Sequence, residues 1–191
     1  MRGRAERLAA LLIAALLGAS PGAHAVERRY VIDGLGSRVD FTVRYLGFFS
    51  PGGHFGRVAG TVMFDPEHWE TLAVSIRIPV DTLESRPGFW RSELLGPRFF
   101  DGAHHPSIEF EGRRAVQTAP AAGQCFGALT LRGQSRPVVL NARLRAQASV
   151  IEIEATTRLA RSAFGLGGVL PLASDEVTVV LRLRAILAQQ P

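Results

Sequence analysis

The chain has 191 residues, 47% of them hydrophobic and 20% charged, with a formal net charge of +5 whose cations are all arginine. Charge this modest and this scattered does not make the dense basic face that nucleic acid requires, so no nucleic-acid partner is expected. Cys125 is the single cysteine, so no disulfide can form within the chain and stability must come from burial.

At the start, Arg2, Arg4 and Arg7 precede the uncharged run Leu8 to Ala19, and Ala23 and Ala25 flank His24. This is the arrangement of a secretory signal, with cleavage expected after Ala25 and a periplasmic or secreted location. The apolar run is shorter than the ~20 residues that span a bilayer. Every later apolar stretch is interrupted by charge, Gly or Pro, so no transmembrane helix is predicted. The remainder, 26–191, fits one domain by the usual prior of about 100–200 residues.

Beyond a short leading strand at Arg28 to Ile32, the dominant pattern is period-two alternation, which marks strands with one face in a core. Val39, Phe41 and Val43 oppose Arg38, Asp40, Thr42 and Arg44. A strand over Arg57 to Asp65 follows, and then Asp65 to Glu70 reads as a tight connector. Leu72, Val74, Ile76, Ile78 and Val80 form the next inward set. Phe89 to Phe99 holds a short helix around Ser92 to Leu95. Ile108 and Phe110 then oppose Ser107, Glu109 and Glu111, and a strand over Gln124 to Arg132 follows. Val138, Leu140, Ala142 and Leu144 oppose Asn141, Arg143 and Arg145, and Ile151, Ile153, Ala155 and Leu159 oppose Glu152, Glu154, Thr156 and Arg158. Val177 to Leu187 completes a last long amphipathic strand.

The fold class is therefore all-β, with about eight long strands and one or two short peripheral helices. Strands with one apolar face each close as a barrel or pack as a sandwich, and closure into an antiparallel β-barrel is favoured because it removes exposed edges. A transmembrane barrel is disfavoured, because its outer face would put arginines in lipid at about 2–4 kcal/mol for each central one.

An inward register also locates candidate site residues. Extending the alternation places the polar residues Ser37, Tyr45, Thr82 and Arg161 on the inner face, where each must be satisfied or sit at a barrel mouth. A buried guanidinium at Arg161 requires a carboxylate, a phosphate or several carbonyls, and Asp33, Asp81, Asp175 and Glu176 are candidate partners. The alternative is contact with an anionic head group. Phe41, Phe55, Phe64, Phe110, Phe126 and Phe164, with Ile76, Ile78, Leu129, Leu131, Leu140 and Val179, either line a tunnel or fill a dry core. Small inward residues, Ala142, Ala155 and Ala185, leave room.

Phe48-Phe49-Ser50-Pro51-Gly52-Gly53 and Pro87-Gly88-Phe89-Trp90 put aromatics in turn-rich segments, as a lid, a docking surface for transient membrane contact, or simple packing. His104 and His105 lack a third ligand at suitable spacing, so no metal is expected. No nucleophile elbow, zincin pattern, phosphate loop or dinucleotide fingerprint occurs, and neither catalysis nor a cofactor is expected. Cys125 reads as a buried, inert thiol.

Several local patterns, taken in order, resemble the YceI family of exported lipocalin-like barrels that bind polyisoprenoid or other long-chain lipids. They are Tyr30-Val31-Ile32-Asp33 with Ser37 to Val43, Gly53-His54-Phe55 and Gly60 to Asp65, Phe99-Phe100-Asp101 with His105 to Phe110, Gly127 to Gly133 with Pro137 to Leu140, and Arg161 to Leu166 with Ser174 to Val177. The chain departs from the family pattern at Gly36, at Tyr45 and at Trp90 to Leu94, where relatives carry histidines in this region. The resemblance implies a tunnel rather than a filled core, and hence non-enzymatic binding, transport or storage of a long-chain apolar lipid. Two rivals are a ligand-free periplasmic structural or stress protein and a barrel enzyme acting on a hydrophobic substrate. A dimer is compatible with the sequence.

Overall fold

The computed structural model describes residues 28–65, 67–167 and 173–189; the predicted signal at 1–25 lies outside them. The described residues form eleven strands and one short α-helix. These are β1 (Arg28–Ile32), β2 (Arg38–Tyr45), β3 (Gly52–Phe55), β4 (Ala59–Asp65), β5 (His68–Pro79), β6 (Leu83–Arg86), α1 (Arg91–Leu95), β7 (Ser107–Ala119), β8 (Ala122–Leu131), β9 (Gln134–Gln147), β10 (Val150–Ala160) and β11 (Ala173–Leu187). They pair in the order β1-β4-β5-β7-β8-β9-β10-β11, and β11 returns to β1, which closes the ring. The lower half of the molecule is thus an antiparallel barrel of eight.

The upper half is built by continuation. Above β1, β4 and β5 the chain bends and resumes as β2, β3 and β6, which pair in the order β11-β2-β3-β6. Eleven strands therefore make eight staves, three of them interrupted. No strand pairing joins β6 to β7 among the described residues; β5 meets β7 only up to Pro79 opposite Ser107. The stretch 87–106 fills that upper gap, with Val80 N–H donating to the Pro106 carbonyl at 2.9 Å and Phe100 N–H to the Leu94 carbonyl at 2.9 Å.

One backbone N–H and one side-chain hydroxyl mend the ladder where β1 turns into β2. Asp33 donates its N–H to the Arg184 carbonyl, and its carboxylate accepts the N–H groups of Leu35 and Gly36. Buried Ser37 accepts the Arg184 N–H at 2.9 Å and donates its hydroxyl to the Arg184 carbonyl at 3.4 Å. The hydroxyl replaces the backbone partner that the bend removes, and so meets the requirement that buried polar groups be paired.

At the lower end large side chains fill the barrel. Tyr30, Val62, Phe64, Trp69, Ile151, Leu183 and Ala185 are all buried, and the Phe64 and Trp69 rings meet edge to face with centroids 5.3 Å apart. The Trp69 ring lies against Gly123, where an added Cβ would stand only 2.5 Å from it. A side chain there would displace the floor.

Replacing Ser37 by Ala leaves the Arg184 N–H without its acceptor, and a buried unsatisfied donor costs about 1–3 kcal/mol. Urea unfolding should show that loss for Ser37→Ala and a smaller one for Ser37→Thr, which keeps an oxygen at the same place. Equal midpoints for Ser37→Ala and the parent would disprove the ladder role.

Candidate binding cavity

Above the aromatic floor the interior is not filled. A cavity of about 380 Å³ runs up the barrel, and its wall is almost wholly apolar. Buried Ile76, Phe110, Leu140 and Leu181 form its lower part. Half-buried Val43, Tyr45 and Trp90, with exposed Glu93, stand at its upper end. This rise in exposure along the axis places the mouth beside the turn that joins β2 and β3. A void of about 40 Å³ lies below and shares Ile76, Leu140 and Leu181 with the larger one.

Of the residues expected to line the interior, Phe41, Phe55, Ile76, Ile78, Phe110, Leu129, Leu131, Leu140, Phe164 and Val179 border this cavity. Phe41, Phe55 and Phe100 form a ring cluster with centroids 5.4 to 6.0 Å apart. Phe110 can lie flat against the wall because Gly127 stands opposite it, where a Cβ would come within 2.5 Å of the ring.

Two expected lining residues fall elsewhere. Phe64 does face inward, but it is packed into the floor against Trp69, below the cavity. Phe126 faces outward. Its register partner across the ladder is Arg114, whose guanidinium sits 5.0 Å from the ring centroid on the outer wall. The alternation that turns Cys125, Leu129 and Leu131 inward turns Phe126 out, so the inclusion of Phe126 in the lining set breaks the parity of its own strand.

The polar set divides in the same way. Tyr45 and Arg161 border the mouth. Ser37 lies instead at the β1–β2 bend, and the Thr82 hydroxyl donates to the Pro79 carbonyl at 2.7 Å within the 3-10 turn between β5 and β6. Both were placed at the mouth by extrapolating alternation beyond a strand end, where the backbone turns and parity no longer applies.

Arg161 is tied to the backbone: Nε donates to the Ser174 carbonyl at 3.1 Å and Nη1 to the Leu166 carbonyl at 3.0 Å. Asp175, one of its expected partners, accepts the Ser162 hydroxyl at 2.7 Å and the Ser162 N–H at 2.9 Å. These bonds, with the Arg161 charge adding to them, hold the Asp175 carboxyl below its ordinary range. The corner is thus fixed at pH values above that range and loosens as acid titrates the carboxylate.

The upper wall includes Trp90, from the segment expected as a lid, and four residues that no alternation marks. Trp90, Glu93, Leu94, Phe99 and Phe100 come from the stretch 87–106, which shows no strand period. This cap is fastened from the far side by Arg132, whose guanidinium donates to the Pro97 and Gly165 carbonyls, while Gly167 N–H donates to the Arg98 carbonyl at 2.6 Å. No cluster of metal-ligating side chains occurs among the described residues. His104 instead bonds Asp101, and that bond holds the Asp101 carboxyl below its ordinary range.

The fold and cavity define a closed, lipocalin-like β-barrel with an apolar interior open at one end. A family profile described as YceI-like domain matches residues 30–185, and the chain belongs to that family. A UPF0312 protein of Azotobacter vinelandii is 28% identical over 190 residues, covering 95% of this chain and 97% of its own. One from Vibrio cholerae is 27% identical over 139 residues, 72% of each chain. Among solved structures, Burkholderia cenocepacia BcnA superposes with a TM-score of 0.72 at 19% identity, covering 78% of this chain and 95% of its own. A polyisoprenoid binding domain from Saccharophagus degradans superposes with a TM-score of 0.64 at 13% identity, covering 83% and 98%.

Cys125 sits on the inner wall below the cavity, its sulfur over Gly112, and burial pushes its thiol up to about 11. The folded state keeps that proton longer than the unfolded chain does. The thiol's contribution to stability is therefore full below the ordinary value of 9.0 and is lost as pH rises through about 11. Thiol labelling at mildly alkaline pH should proceed only at the rate of opening and accelerate at the urea midpoint. Prompt labelling of the native protein would contradict the burial.

Proposed function

We propose that the protein binds one long apolar chain, of polyisoprenoid or acyl type, inside the barrel, with its polar end at the mouth near Tyr45. The observation behind this reading is the unfilled apolar cavity. Its volume lies toward the lower end of the ~300–1,000 Å³ usual for ligand sites, which suits one chain and not several. Each Å² of chain surface removed from water contributes roughly 25 cal/mol, so affinity comes from the wall and selectivity from the few polar groups at the rim. The similar domain described as polyisoprenoid binding supports the ligand class. An exported carrier or scavenger is the role that fits this reading, with residues 1–25 as its secretory signal.

The rival readings are less well supported. A barrel filled by its own phenylalanines would leave no such void, yet Phe64 is in the floor and Phe126 is outside. Tyr45, Glu93 and Arg161 do border one mouth, as a catalytic set would require. Glu93, however, pairs with Arg98 at 3.8 Å, Arg161 is held by carbonyls, and Tyr45 is bonded to neither. Among the described residues no hydrogen bond links Tyr45 to Glu93 or joins the three as a proton relay.

Native mass spectrometry of protein purified from its own host should show a co-purifying lipid, and the delipidated protein should take up a fluorescent polyprenyl or acyl probe. Val179→Phe, which adds a ring to the cavity wall, should weaken probe binding more than tenfold while leaving the unfolding midpoint unchanged or raised. Absence of both co-purified lipid and probe uptake in the parent would overturn the proposal.

A further inference from the structure

The rim of the mouth is apolar in a way that neither packing nor the cavity explains. Leu46, Phe48 and Phe49 form the turn between β2 and β3, and Phe89 lies in the turn after β6. Phe48 is 85% and Phe89 74% exposed, with Leu46 and Phe49 near half. The two turns stand side by side, because Gly52 at the head of β3 pairs with Arg86 at the end of β6. Phe89 meets Trp90 edge to face at 6.0 Å, and Trp90 borders the cavity, so the exposed aromatics continue directly into the mouth. Apolar groups held in water and concentrated on one rim mark an interaction surface.

The charges around this rim give the partner's sign. Glu93 is paired with Arg98, Glu176 with Arg158 at 3.8 Å, and Asp175 with Ser162 close to the Arg161 charge. Arg91 donates to the backbone carbonyls of Asp81 and Leu83, and Glu84 faces His54 at 3.5 Å. Arg44 and Arg86, exposed on β2 and β6 just beneath the aromatic turns, have no carboxylate partner among the described residues. An aromatic tip backed by uncompensated arginines is the chemistry of the interface of an anionic bilayer, where rings insert at head-group level and cations meet the surface potential.

We propose that the mouth docks onto an anionic lipid bilayer through Leu46, Phe48, Phe49 and Phe89, so that an apolar chain moves between membrane and cavity without crossing water. The proposal rests on the cavity being a lipid site, but its test separates the two. Both tryptophans report by position: Trp90 is at the rim and Trp69 is buried in the floor, so a blue shift on docking arises from Trp90.

The full chain is mixed with vesicles of phosphatidylglycerol and phosphatidylethanolamine, and with vesicles of phosphatidylcholine alone, and followed by co-sedimentation and tryptophan emission. Partition should favour the anionic vesicles and weaken at high salt. Phe48→Ser with Phe89→Ser should reduce it more than tenfold. Arg44→Gln with Arg86→Gln should reduce it by about fivefold per arginine at low salt. Both variants change only exposed side chains, and each should take up a monomeric probe from solution as the parent does, while chain transfer from vesicles slows. If the parent does not bind anionic vesicles, or if the phenylalanine variant binds them equally well, the docking proposal falls and a protein partner becomes the occupant of this rim. Failure of the parent to take up the soluble probe would instead count against the cavity reading.

Discussion

The closed interior depends on one strand serving two partners. β11 is long enough that its lower part bonds β1 and its upper part bonds β2, and only this double pairing turns an open meander into a ring. The weak point is the bend between β1 and β2, where the ladder would lose a partner at Arg184. The Ser37 hydroxyl fills that vacancy, beside the Asp33 N–H that donates to the Arg184 carbonyl. A closed ladder leaves no edge to bind other chains and encloses a volume that water cannot readily enter.

Stability and binding occupy different heights of that volume. Below, Tyr30, Phe64 and Trp69 fill the section but for a void of about 40 Å³, and Gly123 makes room for the indole. Above, inward positions on β2 and β11 carry Val39, Val43, Val177 and Val179, which cannot reach the axis. An aromatic at several of these positions would fill the barrel and gain dispersion energy. The chain forgoes that gain in the upper half, and the floor and the hydrogen-bonded wall carry the fold instead. The outer wall adds little, since its exposed pairs such as Arg77 with Glu109 are the kind worth about 0–1 kcal/mol.

The upper end is closed by a different device. β6 and β7 diverge, and the stretch between them folds over the opening, anchored by Arg132 to carbonyls from both sides of the mouth. A cation bonded to backbone oxygens is insensitive to the side chains around it. The cap can therefore present Trp90, Leu94 and Phe99 to the interior while its outer turn leaves Phe89 in solvent.

The sequence by itself determined the all-β class, the long strands and their inward faces, but not the short β3 and β6. Alternation is a local property, and residues two apart must share a face whatever the strand pairs with. The parity of Leu129 and Leu131 contradicts the inward placement of Phe126, an error of reading and not of the pattern. Alternation loses validity at the bends, which is why Ser37 and Thr82 fall in the inward polar set without bordering the cavity. Only the tertiary structure decided that the interior is a cavity over a filled floor. A void depends on how far side chains from eight staves reach toward a common axis, and on an aperiodic cap brought in from 87–106. Distances across the barrel are set by closure and by long-range pairing, and no local pattern encodes them.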